Sequence, residues 1–524
     1  MSSASSSVGL KVFAVLGSAF MLAACSSSDD TPDTAQAEPP PPPTSTAGTL
    51  IENPPPRLAS YSTTDLLRLV TMNSTAERIL DFILDPKCGV DVHQLQYNTE
   101  DPNQQPTTAS GALMIPTGTN AACQGPRPIV VYAHGTQPEK TFNIADLSSS
   151  GNSEGLLIAA AFAAQGYIVV APNYAGFDTS TLPYHPYLHA GQQAKDTSDS
   201  LTAARSALPT STAPTVTDNG RLFITGYSQG GFVAMATHRL LQTNGVPVTA
   251  AAPMSGPYAL AAFGDAVFQG EVIQSAPALV AWVMTAYQRI YGNIYATPTD
   301  AFEARYATGI DTLLPTTLTR AQVYDQGLLP QDQLFSSTPP DPAYAPFTPA
   351  TTPADLAPVF ARGFGPENLI TNAYRGTYLQ DSLATPDGGF PTITDGLPAT
   401  APVHPLRVAF KANDLRNWSP TSPVLLCAGH DDPTVLYINT DLMQRYWTAA
   451  GVTAQIRLLD VDSNPEIGAD YAAIKVGFNA AKEAVRAAAV AGGTDGTLAV
   501  ADVYHATLVP PFCLAAVQSF FGGF

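Results

Sequence analysis

Short apolar runs recur along the chain, most of them bounded by Gly, Pro or Asn. They are GALMIP from Gly111, PIVVYAHG from Pro128, YIVVAPNY from Tyr167, RLFITG from Arg221, VTAAAPMSG from Val248, PVLLCAG from Pro423 and AQIRLLDVD from Ala454. Most are continuously apolar rather than alternating, the pattern of strands covered on both faces. Between them lie segments with helical spacing: SEGLLIAAAFAAQG, QQAKDTSDSLTAARSAL, GFVAMATHRLLQTNG and TVLYINTDLMQRYWTAAG. Strand alternating with helix predicts an α/β fold with a mostly parallel central sheet and helices on both faces. One interruption is large. From APMSGPY to PVLLCAG, about 160 residues carry no strong strand signal. They include QSAPALVAWVMTAYQRIYGNIYA and FARGFGPENLITNAYRGTYLQDSL, apolar and aromatic at helical spacing. An insertion after a strand's C-terminal end sits where open α/β sheets bind ligands. Residues 259–420 are therefore expected to form a mainly helical cap, with core segments 51–258 and 421–524 on either side; a bundle packing on itself is the plainer alternative.

The N-terminus reads as an address. MSSASSSVGLK is followed by VFAVLGSAFMLAA and a cysteine, a signal peptide over 1–24 with a short apolar stretch. The junction LAAC, Leu22 to Cys25, resembles a bacterial lipobox, which makes Cys25 the expected lipidation site. Ser26 after it, where an Asp would signal retention, points to the outer membrane. Residues 25–50, with PPPPP at Pro39 to Pro43, lack large apolar side chains and predict a stiff, disordered tether. The chain is expected to be exported and lipid-anchored to the cell envelope, or secreted. Beyond the leader no run of about 18 apolar residues appears, so no internal membrane span is expected.

Export changes the meaning of the cysteines. With Cys25 lipidated, Cys88, Cys123, Cys427 and Cys513 remain. An even set in an oxidising compartment predicts two disulfides. Of the three possible connectivities the local pairings Cys88–Cys123 and Cys427–Cys513 are favoured, with buried free thiols as the plainer alternative. Over 524 residues the net charge is −19, with 45% hydrophobic and 13% charged residues. This is a globular composition, and its acidity disfavours nucleic acid as a partner.

The chemistry centres on GYSQG, Gly226 to Gly230. By itself that pattern is weak, but here RLFIT precedes it and GFVAMATHRLL follows it. A sharp strand-to-helix turn needs small residues on both sides of the Ser and lifts its hydroxyl above the sheet beside a helix N-terminus. Ser228 is thus a candidate nucleophile at an elbow. It needs a base, and the base an orienting acid; in this kind of site the chain order is Ser, then Asp or Glu, then His. His505, in DVYHATLVPPF, is the one His well beyond the PVLLCAG strand. His430 ends that strand, and His93, His134, His185, His189, His238 and His404 come too early. In AGHDDPTV the acid is Asp431 or Asp432. Asp432, three residues after Gly429, is favoured, and the helix expected to start at Pro433 would make it an N-cap. Two amides are expected to hold an oxyanion: that of Gln229, and that of Thr136 after the His134–Gly135 pair. His185 and His189 in YHPYLH are spaced as zinc ligands on a helix would be, but Pro186 lies between them and no H-E-x-x-H glutamate accompanies them. With no G-x-G-x-x-G after a strand and no Walker-type Lys, neither metal nor cofactor is expected.

Taken together, VVYAHGT, YIVVAPNYAGFDTS, YHPYLHAGQQAKDTSDSLTAARSA with Asp199 and Arg205, GYSQGG and PVLLCAGHDDPTV resemble the α/β-hydrolases, and among them the secretory lipases similar to fungal lipase A. The resemblance runs from about Ser110 onward and is thin across the insertion. It implies a Ser228–Asp432–His505 triad, a helical cap with a lid-like role, no cofactor, and hydrolysis of small-molecule or lipid-like carboxylic esters through an acyl-enzyme. Asn173 stands where many relatives carry Asp. An exopeptidase or amidase would use the same triad, and a non-catalytic binding lipoprotein is the third reading.

Overall fold

The apolar runs become strands of one sheet. The structure, a computed structural model, describes residues 46–72, 85–149, 151–211, 216–452, 455–466 and 468–524; the leader, Cys25 and the tether up to residue 45 lie outside the described residues. The strands are β1 (Arg57–Tyr61), β2 (Gly89–Glu100), β3 (Pro106–Thr117), β4 (Gly125–Ala133), β5 (Ile168–Pro172), β6 (Val216–Tyr227), β7 (Ala250–Met254), β8 (Val424–Ala428) and β9 (Ile456–Asp460). Their spatial order is β1-β2-β3-β5-β4-β6-β7-β8-β9. β1, β2, β3 and β5 pair antiparallel, and from β5 onward every pairing is parallel. Every residue of β5, β7 and β8 is buried, as their unbroken apolar sequences require. β2 differs: GVDVHQLQYNTE alternates inward and outward along most of its length, the period-2 mark of a half-buried antiparallel strand.

Helices of eight residues or more are numbered α1 (Thr63–Met72), α2 (Ser153–Ala161), α3 (Ala190–Ser211), α4 (Gln229–Thr243), α5 (Leu260–Phe268), α6 (Ala276–Tyr291), α7 (Asn372–Ala384), α8 (Pro405–Asn413), α9 (Ile438–Ala449), α10 (Ala472–Ala491), α11 (Gly496–Val503) and α12 (Val509–Phe521). α3 and α4 pack on each other and on β6, while α12 packs on β6, β7 and β8 and touches α2. The run from α11 to α12, Gly496–Phe521, is long and apolar enough to cross a membrane, but 72% of its apolar window is buried inside the fold. It is a core element. The tether expected to reach residue 50 is already docked at Gly48, whose N–H donates to Asn98 O, while Ile51 N–H donates to Gln96 O.

Residues 255–423, between β7 and β8, hold α5 to α8 and shorter helical turns, with isolated β-bridges but no named strand. Buried charge organises this segment. The Arg407 guanidinium pairs with Asp265 at 2.7 Å and Asp381 at 2.8 Å. Arg416 pairs with Asp387 at 2.8 Å and Asp414 at 2.9 Å. Removing one member would leave a buried charge uncompensated, at roughly 3–5 kcal/mol. Two disulfides, Cys88–Cys123 and Cys427–Cys513, close loops of 35 and 86 residues. The second joins β8 to α12.

Candidate active site

Ser228 occupies the turn between β6 and α4 with φ 59° and ψ −123°, a conformation that side chains other than Gly rarely adopt. The neighbouring glycines make the turn possible. A methyl group on Gly226 would lie 2.4 Å from Gly230 O, and one on Gly230 would lie 1.9 Å from Ala133 O. Ser228 N–H donates to Met254 O at 3.0 Å, which fixes the turn to β7.

His505 sits in a π-helical turn, Tyr504–Leu508, between α11 and α12, the sort of local insertion that recurs at functional sites. Its Nε2 lies 2.8 Å from Ser228 Oγ, and its Nδ1 lies 2.7 Å from Asp432 Oδ2. With Nδ1–H donating to the carboxylate, Nε2 is left to accept the Ser hydroxyl proton. Asp432 is wholly buried. The expected N-cap does not form, because α9 starts only at Ile438. Instead Asp432 Oδ1 accepts the N–H groups of Thr434 and Val435 at 2.9 and 3.0 Å. That turn holds the carboxylate as a cap would. Asp431 faces elsewhere: its carboxylate is 3.6 Å from His430 Nε2 and 3.9 Å from Lys482 Nζ. Tyr227 holds the His505 backbone, and the neighbouring Tyr504 is anchored separately. Tyr227 O–H donates to His505 O at 2.5 Å, and Tyr504 O–H donates to Asp462 Oδ2 at 2.7 Å.

This geometry predicts that Asp432→Ala lowers kcat by roughly four orders of magnitude. Asp431→Ala should stay within a few-fold of wild type in the same ester assay. A reversed order would place the acid one residue earlier.

Gln229 opens α4 and Thr136 follows the end of β4; both border the same cavity as Ser228 and His505. Neither backbone N–H takes part in a hydrogen bond among the described residues. Thr136 Oγ1 lies 2.8 Å from Tyr187 Oη, and Gly135 N–H is taken by Glu154 Oε1 at 3.0 Å. The cavity holds about 400 Å³, and its lining includes Phe263, Leu279, Trp282 and Val323 from the segment between β7 and β8.

The other histidines do different work. His185 precedes α3 rather than lying on a helix with His189. Its Nδ1 donates to Ala175 O at 2.9 Å and its Nε2 accepts from Gln229 Nε2 at 2.7 Å. Burial pushes its pKa down to about 3, so it stays neutral and occupied. His134 is also buried, which lowers its pKa to about 4, with its ring nitrogens near Gly135 O and Asn173 O. Asn173 accepts Ile144 N–H and donates to Ser110 Oγ, both at 2.8 Å. Asp199 accepts the Thr99 hydroxyl, and Arg205 pairs with Asp218, so both serve packing. His430, Asp431 and Asp462 bring donor atoms within 4.8 Å of one another. Lys482 already pairs with Asp462, and a hydrogen bond to Asp460 raises the His430 pKa to about 9. Two cations therefore already neutralise the cluster, and a metal would have to displace them.

Residues 156–244 match the prolyl oligopeptidase family. No curated protein matches. Among solved structures, the rice cell wall degrading esterase LipA from Xanthomonas oryzae is similar at 26% identity and a TM-score of 0.61, covering 79% of this chain and 91% of that one. A putative hydrolase from Legionella pneumophila is similar at 20% identity and a TM-score of 0.57, covering 78% and 90%. Candida antarctica lipase A aligns over 79% and 76% at 12% identity and a TM-score of 0.44. The chain has the α/β-hydrolase fold, a mostly parallel sheet with helices on both sides and a helical insertion. It is an enzyme of the hydrolase class.

Proposed function

We infer that this enzyme is a serine carboxylic-ester hydrolase working through an acyl-enzyme. The observation that carries the reading is the unbroken relay from Ser228 to His505 to Asp432, with contacts of 2.8 and 2.7 Å, whose Ser228 and His505 line a mostly apolar cavity. His505 Nε2 takes the Ser228 proton as Oγ attacks the ester carbonyl. The tetrahedral oxyanion is held by the amides of Gln229 and Thr136. His505 then gives its proton to the departing alcohol, which leaves an acyl-Ser228. Water, deprotonated by the same imidazole, attacks the acyl group and releases the acid. Asp432 keeps Nδ1 protonated and steadies the imidazolium. A triad removed from bulk water gains most from fixed dipoles of this kind.

Residues 259–420 serve as a cap over the site. Their apolar contribution to the cavity wall favours hydrophobic acyl or aryl groups, and the esterase title of the Xanthomonas neighbour supports an ester bond as the target. The prolyl oligopeptidase match favours an amidase or exopeptidase as the second reading, although the matched span covers only the elbow region that both classes share. A panel of p-nitrophenyl acyl esters of rising chain length beside aminoacyl anilides separates them. Esters are expected to turn over, with a preference set by acyl length, and anilides to remain intact; anilide turnover matching that of the esters returns the peptidase reading.

Export is supported by the two disulfides, since such bonds persist in oxidising compartments. The LAAC junction supports a finer statement, acylation at Cys25 and anchoring to the outer membrane. Cys25→Ser is expected to move the enzyme from the membrane to the soluble fraction with its esterase rate unchanged. Retention of the variant in membranes places the anchor elsewhere.

A further inference from the structure

A second carboxyl lies against the nucleophile's turn, and the acyl-transfer scheme does not use it. Glu154, in the first turn of α2, lines the same cavity as Ser228. Its Oε1 accepts the Tyr132 hydroxyl at 2.6 Å and Gly135 N–H at 3.0 Å, and Oε2 lies 3.2 Å from the same amide. Gly135 in turn borders the elbow: a methyl group placed on it would sit 3.5 Å from Tyr227 O and 3.8 Å from Ser228 Cβ. Thr136, the next residue, is pinned separately through its side chain by Tyr187, whose ring stacks on Trp282 at 4.7 Å. The loop that ends β4 is thus held at two successive residues, by a carboxylate from α2 and by a phenol beside the insertion.

The arrangement settles which amide is free. Gly135 N–H is spent on Glu154, so the first backbone donor beyond β4 that remains open to the cavity is that of Thr136. A carboxyl group is costly here. Enclosure raises the Glu154 pKa to about 7, and an apolar side chain in this position would serve the fold alone at lower cost. An oxygen at this reach accepts Gly135 N–H and the Tyr132 hydroxyl together, and that double contact fixes the amide's direction. We propose that Glu154 is a positioning residue for the oxyanion hole: by clamping Gly135 N–H it orients the Thr136 amide toward the tetrahedral oxyanion. This rests on the reading of Ser228 as the nucleophile.

The test compares Glu154→Ala, Glu154→Asp and Glu154→Gln in the intact enzyme. The Asp side chain keeps the charge but falls one methylene short of Gly135; the Gln side chain loses the charge but keeps an oxygen at the right reach. Three quantities are read: kcat and KM on an acyl ester, the rate at which a p-nitrophenyl phosphonate labels Ser228, and the melting temperature. The phosphonate places an oxygen where the oxyanion develops, so its labelling rate reports the hole. Ala and Asp variants are expected to lose kcat and labelling rate together, roughly 10- to 100-fold, with KM within about threefold of wild type. The Gln variant should recover both to within about threefold. Should the Ala variant fail to fold, the Asp and Gln pair carries the comparison. Wild-type labelling by the Asp or Ala variant overturns the proposal, as does a Gln variant as slow as Asp, or a loss confined to KM. A wild-type enzyme that the phosphonate labels but that leaves esters intact removes the ester reading and leaves this one standing. A wild type that is not labelled removes the nucleophile on which both rest.

Discussion

Ser228→Ala and His505→Ala are each expected to lower kcat by roughly four to six orders of magnitude, and the double variant to be little slower than either. The reason lies in the geometry. Ser228 Oγ is 2.8 Å from His505 Nε2, so each group acts only through the other. A Ser hydroxyl without its base attacks no faster than water does, and a base without the Ser has no proton to take. Once one is lost, removing the second deletes nothing that still works. Two independent contributors would instead multiply their losses. Residual turnover over the uncatalysed rate should persist in all three variants, from the Gln229 and Thr136 amides and from substrate binding. The measurement is kcat on a short p-nitrophenyl ester, with melting temperature as a control, because His505 is buried and its ring packs on Tyr227. A folded Ser228→Ala enzyme with near-normal turnover would end the reading of GYSQG as a nucleophile elbow.

β5, β7 and β8 were legible because each is a short, unbroken apolar run between turn residues, and burial on both faces leaves no other pattern available. β2 carried an equally clear signal, the alternation in GVDVHQLQYNTE, but of the opposite kind, and a search for continuous runs passes over it. β1 is short and largely exposed, so it holds little pattern to find. The residues near the site divide in the same way. GYSQG is readable because its glycines answer a local steric demand, and His505 because chain order leaves no competitor. The choice between Asp431 and Asp432 rested on spacing, yet the supporting expectation of an N-cap was wrong. The side chain satisfies two successive amides in a turn, and nothing local distinguishes that turn from a helix start. Glu154 had no signal at all. Its place beside Gly135 depends on how α2 packs against the end of β4, a contact between segments about 20 residues apart in sequence that only the folded chain creates. His185 is similar: YHPYLH has the spacing of metal ligands, whereas its ring holds the side chain of Gln229.

Gly230→Ala should be the most damaging single-methyl change near the site. By helix propensity alone it ought to help, since Ala is favoured over Gly inside a helix by about 1 kcal/mol, and Gly230 lies in the first turn of α4 outside the left-handed region. Sterics reverse the sign. The added Cβ would stand 1.9 Å from Ala133 O, 2.6 Å from Ala133 C and 2.8 Å from His134 O. All three are backbone atoms, so no rotamer change relieves the clash. Ala133 belongs to β4, which is hydrogen-bonded between β5 and β6 and cannot retreat without breaking both ladders. The alternative is for α4 to lift away, which carries Gln229 and Ser228 off the positions they share with Thr136 and His505. Either relief destabilises the fold by an expected 3 kcal/mol or more, at the upper end for point substitutions. It should also lower kcat far beyond what the stability loss explains, by roughly 100-fold or more, as expected when an oxyanion donor is displaced. Gly245→Ala is the matched control. That residue has φ +70° with nothing within 4 Å of the added methyl, so only the left-handed backbone is penalised, at about 1–2 kcal/mol, and turnover should not change. Chemical denaturation gives the stabilities, and ester turnover together with phosphonate labelling of Ser228 gives the site. If Gly230→Ala melts and turns over like wild type while Gly245→Ala is the weaker protein, then α4 does not press on β4 as described, and the elbow's geometry must be redrawn.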